Sequence, residues 1–339
     1  MKKYITVILT AYNRREFLKD ALNSIKNQTI DQESIQIIVI KNFLEEEIER
    51  LIKEIDAVSI IVDYCPVGMM LRKAIENSEG EIISFLDDDD LFTPNKLEVI
   101  QRCFKNDPSL IYFHNSQTRF SNINDIPDLN APSDVQNLCK PIMFMTGSSF
   151  VKRLTKLSPI QDWRNFFFNL SSISIRKEYY MQFLNSLERI RGHTDDFFFF
   201  NALNNNSNLK MLFSHDHLTL YRVHNSTSQI YNTDSSKLKK ISILDDFIGT
   251  TIELSNNVKN LELSTILKYR LLSEIFERSM FNGDFKQQRN DFYSIKDSII
   301  FLIRIAKITT IKSFIFIGRR CVHAQLMMRI RKLKRKQVF

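Results

Sequence analysis

Four consecutive aspartates, Asp87–Asp90, are the residues of this chain best suited to chemistry. They follow a mostly apolar stretch, residues 81–86, which is typical of a short strand buried in a parallel sheet. Open α/β sheets bind ligands at the carboxyl ends of their strands. Crowded carboxylates beside an apolar strand need compensation, and a hard divalent cation supplies it most simply. The pattern predicts a metal site in which Asp87 and Asp89 share a face of extended backbone, with a solvated acidic turn as the alternative.

The elements that must position these acids alternate along the chain. Predicted strands at residues 4–10, 35–40, 58–62 and 81–86 are separated by helical patterns. Such alternation indicates an α/β fold with a mostly parallel, doubly wound sheet flanked by helices. Residues 4–10 also resemble the start of a signal peptide, but the short apolar run is better interpreted as a first strand. Further strands are expected near residues 110–113, 171–176, 209–213 and 218–221.

The patterns change after about residue 230. Only helical signals follow, so we predict one domain over residues 1–230 and a helical C-terminal extension over 231–339. Residues 121–145 are rich in Pro, Asn, Ser and Asp, which is typical of a long functional loop.

Composition excludes several classes of site. Only 7 glycines in 339 residues argue against glycine-rich phosphate loops, and the absence of G-x-G-x-x-G argues against a dinucleotide-dependent dehydrogenase. The 4 cysteines are widely spaced without a C-x-x-C pair, which indicates a reduced compartment and no cysteine-based zinc site. These features predict a cytoplasmic location.

The excess positive charge lies at one end of the chain. Residues 298–339 contain 11 Lys and Arg residues and no acid, although the whole chain has a net charge of only +8. This favours a local contact with an acidic surface and not a nucleic-acid groove. An apolar stripe beside the basic residues suits a peripheral helix on the anionic cytoplasmic face of a membrane, and packing on the domain is the alternative.

Four segments carry a family resemblance. They are T-V-I-L-T-A-Y-N-R at 6–14, G-E-I-I-S-F-L-D-D-D-D-L-F-T-P-N-K-L at 80–97, D-D-F at 195–197 and Y-R-V-H at 221–224. In this order and spacing the chain resembles the family 2 glycosyltransferases of the GT-A fold over about residues 4–228. The resemblance implies a sugar nucleotide as donor, a divalent metal (Mn²⁺ or Mg²⁺), and an acceptor hydroxyl on a glycan or a lipid-linked precursor.

The resemblance also assigns roles to residues. Asp89 and Asp87 would bind the metal, with His224 as a further ligand, and Asp196 would be the catalytic base, with Asp195 as the second choice. Two segments depart from the family pattern, because Asn42 follows Lys41 where an acidic pair is usual and Arg72 lies in L-R-K-A where R-N-x-G is usual. The predicted nucleotide-sugar contacts are Thr10, Ala11, Tyr12, Arg14, Asn42, Asp63, Arg72, Asp87, Asp88 and Arg222.

Together these features predict an inverting, metal-dependent transferase. A phosphatase of the haloacid-dehalogenase type also uses Asp-x-Asp, but near its first strand, and a sugar nucleotidyltransferase expects a glycine-rich basic first loop. The alternatives are a metal-dependent phosphatase or nucleotide-sugar hydrolase, and a non-catalytic basic module that binds membranes.

Overall fold

The computed structural model describes residues 3–123, 143–147, 151, 166–205, 208–224 and 234–282. The chain divides into two compact units, one of residues 1–147 and 166–231 and the other of residues 148–165 and 232–339. The basic segment after residue 282 and most of the predicted loop at 121–145 lie outside the described residues.

The first unit is built on one nine-stranded sheet. Its strands are β1 (Ile5–Ala11), β2 (Ile35–Lys41), β3 (Val58–Ile61), β4 (Ile82–Asp87), β5 (Leu91–Phe92), β6 (Leu110–Phe120), β7 (Met143–Thr146), β8 (Ile173–Arg176) and β9 (Lys210–Arg222). The order across the sheet is β3-β2-β1-β4-β8-β6-β9-β5, and β7 also pairs with β9.

The sheet is mixed. Strands β1, β2, β3 and β4 pair in parallel, as the alternating pattern predicts. Strand β8 then runs antiparallel between β4 and β6, and β9 pairs in parallel with β6. Among the described strands, four of the eight pairs are parallel. Strand β4 therefore lies between β1 and β8, and β8 pairs only with its first three residues, Ile82–Ser84, whereas β1 pairs along it as far as Asp87.

Helices flank this sheet. They are α1 (Leu18–Lys26), α2 (Glu46–Glu54), α3 (Val67–Glu76), α4 (Lys96–Asn106), α5 (Lys177–Tyr180), α6 (Leu184–Leu187) and α7 (Thr194–Leu203). In α1 the residues at helical spacing, Leu18, Ala21, Leu22 and Ile25, are all buried. Burying a Leu or Ile side chain contributes about 1.5–3 kcal/mol, so this face holds α1 against the sheet.

The central strands are almost fully buried. Every residue of β1 is buried, and so are the first five residues of β4. Their apolar side chains join those of α1 and α4 in one core. Both faces of these strands are covered, and along β4 only the last residue, Asp87, is partly exposed.

Two predicted boundaries were wrong. The segments at 209–213 and 218–221 are one long strand, β9, with register shifts against β6. Its turn-like interior S-H-D-H hides this continuity in the sequence.

The second unit is helical where it is described. Helix α8 (Asp234–Asn257) packs against α9 (Leu261–Asn282). Leu254, Leu263 and Leu267 are buried in it. None of the helices in the described ranges is both long and apolar enough to span a bilayer.

Candidate active site

A pocket of about 340 Å³ opens at the carboxyl ends of β1 and β4. This volume is within the usual range for small-molecule sites. One side of the pocket is acidic and the other carries aliphatic and aromatic side chains. It is lined by Thr10, Tyr12, Arg14, Val67, Met70, Asp87, Asp88, Asp89, Asp90, Phe168, Asn169 and Tyr221.

The four aspartates form a turn. Strand β4 ends at Asp87, and the Asp90 backbone N–H donates to the Asp87 carbonyl oxygen at 3.2 Å. Residues 88 and 89 form a turn, so the extended backbone on which the shared face of Asp87 and Asp89 depended is absent, although both residues line the pocket. The turn instead presents Asp88 and Asp89 together to a side chain that follows β1.

That side chain is Arg14. Its Nε donates to Asp88 Oδ1 at 3.0 Å, and its Nη2 lies 2.8 Å from Asp89 Oδ2 and also contacts Asp88 Oδ1. The His224 Nε2 lies 2.9 Å from the same Asp89 Oδ2 and 3.2 Å from Arg14 Nη1. Arg14 and His224 therefore converge on one carboxylate oxygen.

The carboxyl groups are only partly compensated by these contacts. Desolvation, followed by repulsion from Asp89, Asp90 and Asp88, raises the pKa of Asp87 well above its usual range. Desolvation also raises the pKa of Asp88 to about 6, although Arg14 opposes the shift. Asp88 Oδ2 is buried without a hydrogen-bond partner. The turn thus retains capacity for more positive charge.

Asp90 points away from this contact into a buried polar network. It accepts hydrogen bonds from Asn169 Nδ2 at 2.5 Å and from the Arg222 backbone N–H at 3.1 Å. Desolvation and the charge of Asp89 raise its pKa to about 7. Asp90 therefore ties the acidic turn to the end of β9 and to the segment before β8.

Lys96 is the buried cation of the same network. Its ammonium donates to the Ser171 carbonyl oxygen and, at 2.9 Å, to Thr219 Oγ1, and it lies 4.0 Å from the centre of the Phe92 ring. Desolvation lowers its pKa well below the usual lysine value. Ser171 Oγ in turn accepts the Asp87 backbone N–H at 3.0 Å. The network thereby fixes the backbone on which the acidic turn is built.

The turn after β1 is held by an asparagine pair. Asn13 has a positive φ of 57°, its backbone N–H donates to Asn42 Oδ1, and Asn42 Nδ2 donates to Asn13 Oδ1, both at 2.8 Å. Asn42 therefore supports the loop that carries Tyr12 and Arg14. In this structure its amide is engaged by Asn13, whereas the family resemblance predicts a contact with the nucleotide sugar.

Four other predicted nucleotide contacts are outside the pocket lining, namely Ala11, Asp63, Arg72 and Arg222. Ala11 is buried at the end of β1, and Asp63 is exposed beyond β3. The Arg72 guanidinium contacts Glu188, Glu76 at 2.9 Å and Asn185 at 3.2 Å. The i,i+4 pair of Arg72 with Glu76 is readable from the sequence and favours this structural role.

Arg222 is also engaged in the protein. Its Nη2 lies 2.8 Å from Asp20 Oδ2 and its Nε donates to the Asp89 carbonyl oxygen at 3.0 Å. The guanidinium lies between the rings of Phe17 and Phe120, at 4.4 and 4.7 Å from their centres. Arg222 positions the backbone of Asp89, and it does not line the pocket.

The two candidates for the catalytic base, Asp195 and Asp196, lie at the start of α7. Asp196 is buried, and its backbone N–H donates to Asp195 Oδ1 at 3.0 Å. Neither residue is among those lining the pocket. Asp195 satisfies a free N–H of the first helical turn, which is the usual use of an acid at this position.

Of the residues on the aliphatic and aromatic side of the pocket, only Tyr221 belongs to a sequence motif. Val67 and Met70 lie on α3, and the rings of Phe168 and Tyr221 are 5.3 Å apart. Gly68 allows α3 to approach the end of α6, because a Cβ there would lie 1.9 Å from the Leu187 carbonyl oxygen. In a chain with only 7 glycines, a glycine at the start of a predicted helix was the sequence signal for this close packing of α3.

Comparisons with known proteins identify the domain. Residues 6–156 match the family model described as Glycosyl transferase family 2. Over these residues the chain matches the family 2 glycosyltransferases. It is 34% identical over 119 residues to a Rickettsia bellii protein named "Uncharacterized glycosyltransferase", covering 34% of this chain and 17% of that protein. It is 28% identical over 161 residues to the Bacillus subtilis minor teichoic acid biosynthesis protein GgaB, covering 44% of this chain and 18% of that protein.

Solved structures agree on the fold of this glycosyltransferase domain. S. aureus TarS 1–349 in complex with UDP-GlcNAc aligns with a TM-score of 0.55 at 13% identity, covering 89% of this chain and 79% of that one. The complex of TarS 1–349 with UDP aligns with a TM-score of 0.57 at 13% identity, covering 95% and 87%. At this identity the likeness establishes the mixed, helix-flanked GT-A-like fold.

The acidic turn suits the divalent metal that the fold implies. A buried carboxylate oxygen without a partner and a set of hard oxygen donors fit Mn²⁺ or Mg²⁺. In the described part of the chain, no three His, Cys, Asp or Glu side chains are already gathered as a ligand set. Arg14 and His224 instead share Asp89. The carboxylates of the acidic turn therefore fit a divalent ion, and in this structure Asp88 and Asp89 pair with the guanidinium of Arg14.

His114, behind the aromatic side of the pocket, should make stability depend on pH. Its Nε2 lies 2.8 Å from the Phe168 carbonyl oxygen, and burial lowers its pKa to about 4. Between pH 4 and the unfolded value of about 6.5 the unfolded chain binds more protons, so stability should fall by about 3 kcal/mol as pH falls through this range. His114→Gln keeps an N–H donor and should remove this slope.

Urea unfolding at pH 7.5, 6 and 4.5 measures the effect. The raised pKa values of Asp88 and Asp90 act in the opposite direction, so the difference between wild type and variant is the relevant quantity. Exposed His215→Gln is the matched control. Parallel slopes for wild type and His114→Gln would contradict the prediction.

Proposed function

We propose that the chain is an inverting, metal-dependent glycosyltransferase that moves a sugar from a nucleoside-diphosphate sugar to an acceptor hydroxyl. The observation that carries the proposal is the pocket at the carboxyl end of β4, which the acidic turn lines together with Arg14, Thr10 and Tyr12. The family assignment and the sugar-nucleotide complexes of TarS support the donor class.

The acidic side of the pocket would receive the donor diphosphate. Asp89, Asp87 and His224 would hold the divalent ion, which when bound supplies Lewis-acid stabilisation of the departing diphosphate. Thr10 donates to Asp87 Oδ1 at 3.1 Å and so orients that carboxylate. Arg14 and Tyr12, on the loop after β1, would bind phosphate oxygens and the nucleoside.

Sugar transfer then needs one proton acceptor. The family resemblance assigns the base to Asp196, which is buried and outside the pocket lining. It would remove the proton of the acceptor hydroxyl while that oxygen bonds to the anomeric carbon and the bond to the diphosphate oxygen breaks. A single displacement inverts the anomeric configuration. The nucleoside diphosphate leaves with the bonding electrons, and the proton remains on Asp196.

Purified protein with a panel of sugar nucleotides and Mn²⁺ or Mg²⁺ tests the proposal. One donor should be hydrolysed slowly to nucleoside diphosphate and sugar, EDTA should stop the reaction, and a glycan or lipid-linked acceptor should accelerate it. Release of inorganic phosphate from a phosphomonoester would favour a phosphatase. A panel without turnover, with and without acceptors, would contradict the transferase.

The acceptor and the location are proposed from the charge of the C-terminal segment alone. A C-terminal segment with 11 basic and no acidic residues suits an anionic cytoplasmic membrane surface, where a lipid-linked acceptor would be available. Sedimentation with anionic liposomes at low and high salt tests this part. Loss of binding on removal of residues 319–339 is expected, and it should be largest at low salt.

A further inference from the structure

We propose that Arg14 is the counter-cation of the acidic turn in the empty enzyme, and that it transfers to the donor diphosphate when the donor binds. Metal binding would then depend on nucleotide binding. This inference rests on the proposed function and extends it, because it states why a metal and a donor would enter this site together.

Arg14 already pairs with Asp89, a carboxylate that would hold the divalent cation. Its guanidinium bridges two carboxylates, through Nε to Asp88 Oδ1 at 3.0 Å and through Nη2 to Asp89 Oδ2 at 2.8 Å. His224 Nε2 lies 2.9 Å from the same Asp89 oxygen. A metal ion on Asp89 and His224 must therefore displace the guanidinium or lie close beside it, and like charges at that distance repel strongly.

The guanidinium does not satisfy the turn completely. Asp88 is only 4% exposed, yet its Oδ2 has no hydrogen-bond partner. Asp87 lies in the same turn and accepts a hydrogen bond from neutral Thr10. One positive charge thus serves several carboxylates, and an ion of charge +2 would compensate them better once Arg14 has another partner.

Arg14 is placed to change partners. Its side chain is 32% exposed and lines the pocket, whereas its backbone follows the Asn13–Asn42 pair that fixes the loop. A diphosphate offers paired anionic oxygens, which match the fork of N–H donors on a guanidinium. The exchange would leave Arg14 on phosphate and free for the metal the Asp89 oxygen that Arg14 now shares with His224.

Mn²⁺ binding to nucleotide-free protein, followed by the EPR signal of free Mn²⁺, tests the proposal directly. Arg14→Gln removes the charge, so the variant should bind Mn²⁺ about tenfold or more tightly than wild type. Arg14→Lys keeps the charge without the bidentate fork and should lie between them. Arg15→Gln, whose wild-type side chain pairs with Glu45 at 2.8 Å, is the matched control and should bind as wild type does.

Repeating the titration with saturating UDP or GDP measures the coupling. In wild type, whichever of UDP and GDP binds the pocket should tighten Mn²⁺ binding at least about tenfold. By linkage, Mn²⁺ should tighten the binding of that nucleotide by the same factor. The coupling should shrink in Arg14→Gln. Circular dichroism and thermal unfolding establish that each variant is folded.

Equal Mn²⁺ affinity of folded wild type and Arg14→Gln without nucleotide would overturn the inference. An increase in Mn²⁺ affinity in Arg15→Gln as large as that in Arg14→Gln would also overturn it, because the increase would then reflect the net charge of the protein. Failure of the transferase is measured separately by the donor panel with wild-type protein. An active transferase with unchanged Mn²⁺ affinity in Arg14→Gln would reject the role of Arg14 alone.

Discussion

Asp89→Ala should abolish sugar transfer and metal-dependent nucleotide binding while the domain stays folded. Asp89 Oδ2 is the oxygen on which Arg14 and His224 converge, and its carboxylate is 18% exposed to the pocket. Losing a metal ligand removes several kcal/mol of leaving-group stabilisation, so turnover should fall by at least about 10³-fold. Removing one of four crowded carboxylates should also relieve repulsion on Asp87 and Asp90.

Calorimetric titration of nucleotide with and without Mn²⁺ measures the binding part. Asp89→Asn keeps the shape and should lose most of the metal dependence too, whereas Glu54→Gln on the exposed side of α2 should match wild type. Thermal unfolding of the metal-free protein should change little in all three variants. Unchanged metal-dependent affinity in Asp89→Ala would remove Asp89 from the metal site.

The strand-end position of the acids could be predicted because its causes are local. An apolar run such as residues 82–86 is buried whatever its neighbours are, and β1 and β2 follow the same rule. The half of the sheet that contains β8 and β9 depends on pairings between distant segments. β8, for example, runs antiparallel between β4 and β6, which lie over 50 residues earlier in the chain.

The roles of individual cations were harder to predict, because a motif gives the residue type and not its partner. Arg222 pairs with Asp20, and Asn42 pairs with Asn13, across separations of 202 and 29 residues. Asn169 and Phe168 reach the pocket from a segment without any recognisable motif. Arg14 was expected at the pocket and lines it, but its contact with Asp88 and Asp89 follows from the turn geometry of residues 87–90.

Asp196→Asn should separate binding from chemistry. The substitution keeps the shape and much of the hydrogen bonding of a side chain that is 2% exposed in the first turn of α7. Asparagine cannot accept the acceptor proton at neutral pH. Turnover should therefore fall by roughly 10²–10⁴-fold, the usual contribution of a positioned general base. Donor and Mn²⁺ affinities should stay near wild type, because Asp196 does not line the pocket that contains the acidic turn.

Asp195→Asn is the matched comparison one residue away. Asp195 Oδ1 accepts the Asp196 backbone N–H at 3.0 Å, and an asparagine oxygen can accept the same bond, so this variant should lose far less activity. Turnover and donor affinity of both variants decide the role. If turnover is lost in Asp195→Asn and stays near normal in Asp196→Asn, the catalytic base is Asp195. Normal turnover in both would leave these acids as helix-terminal charges, stabilising α7 through its dipole and nothing more.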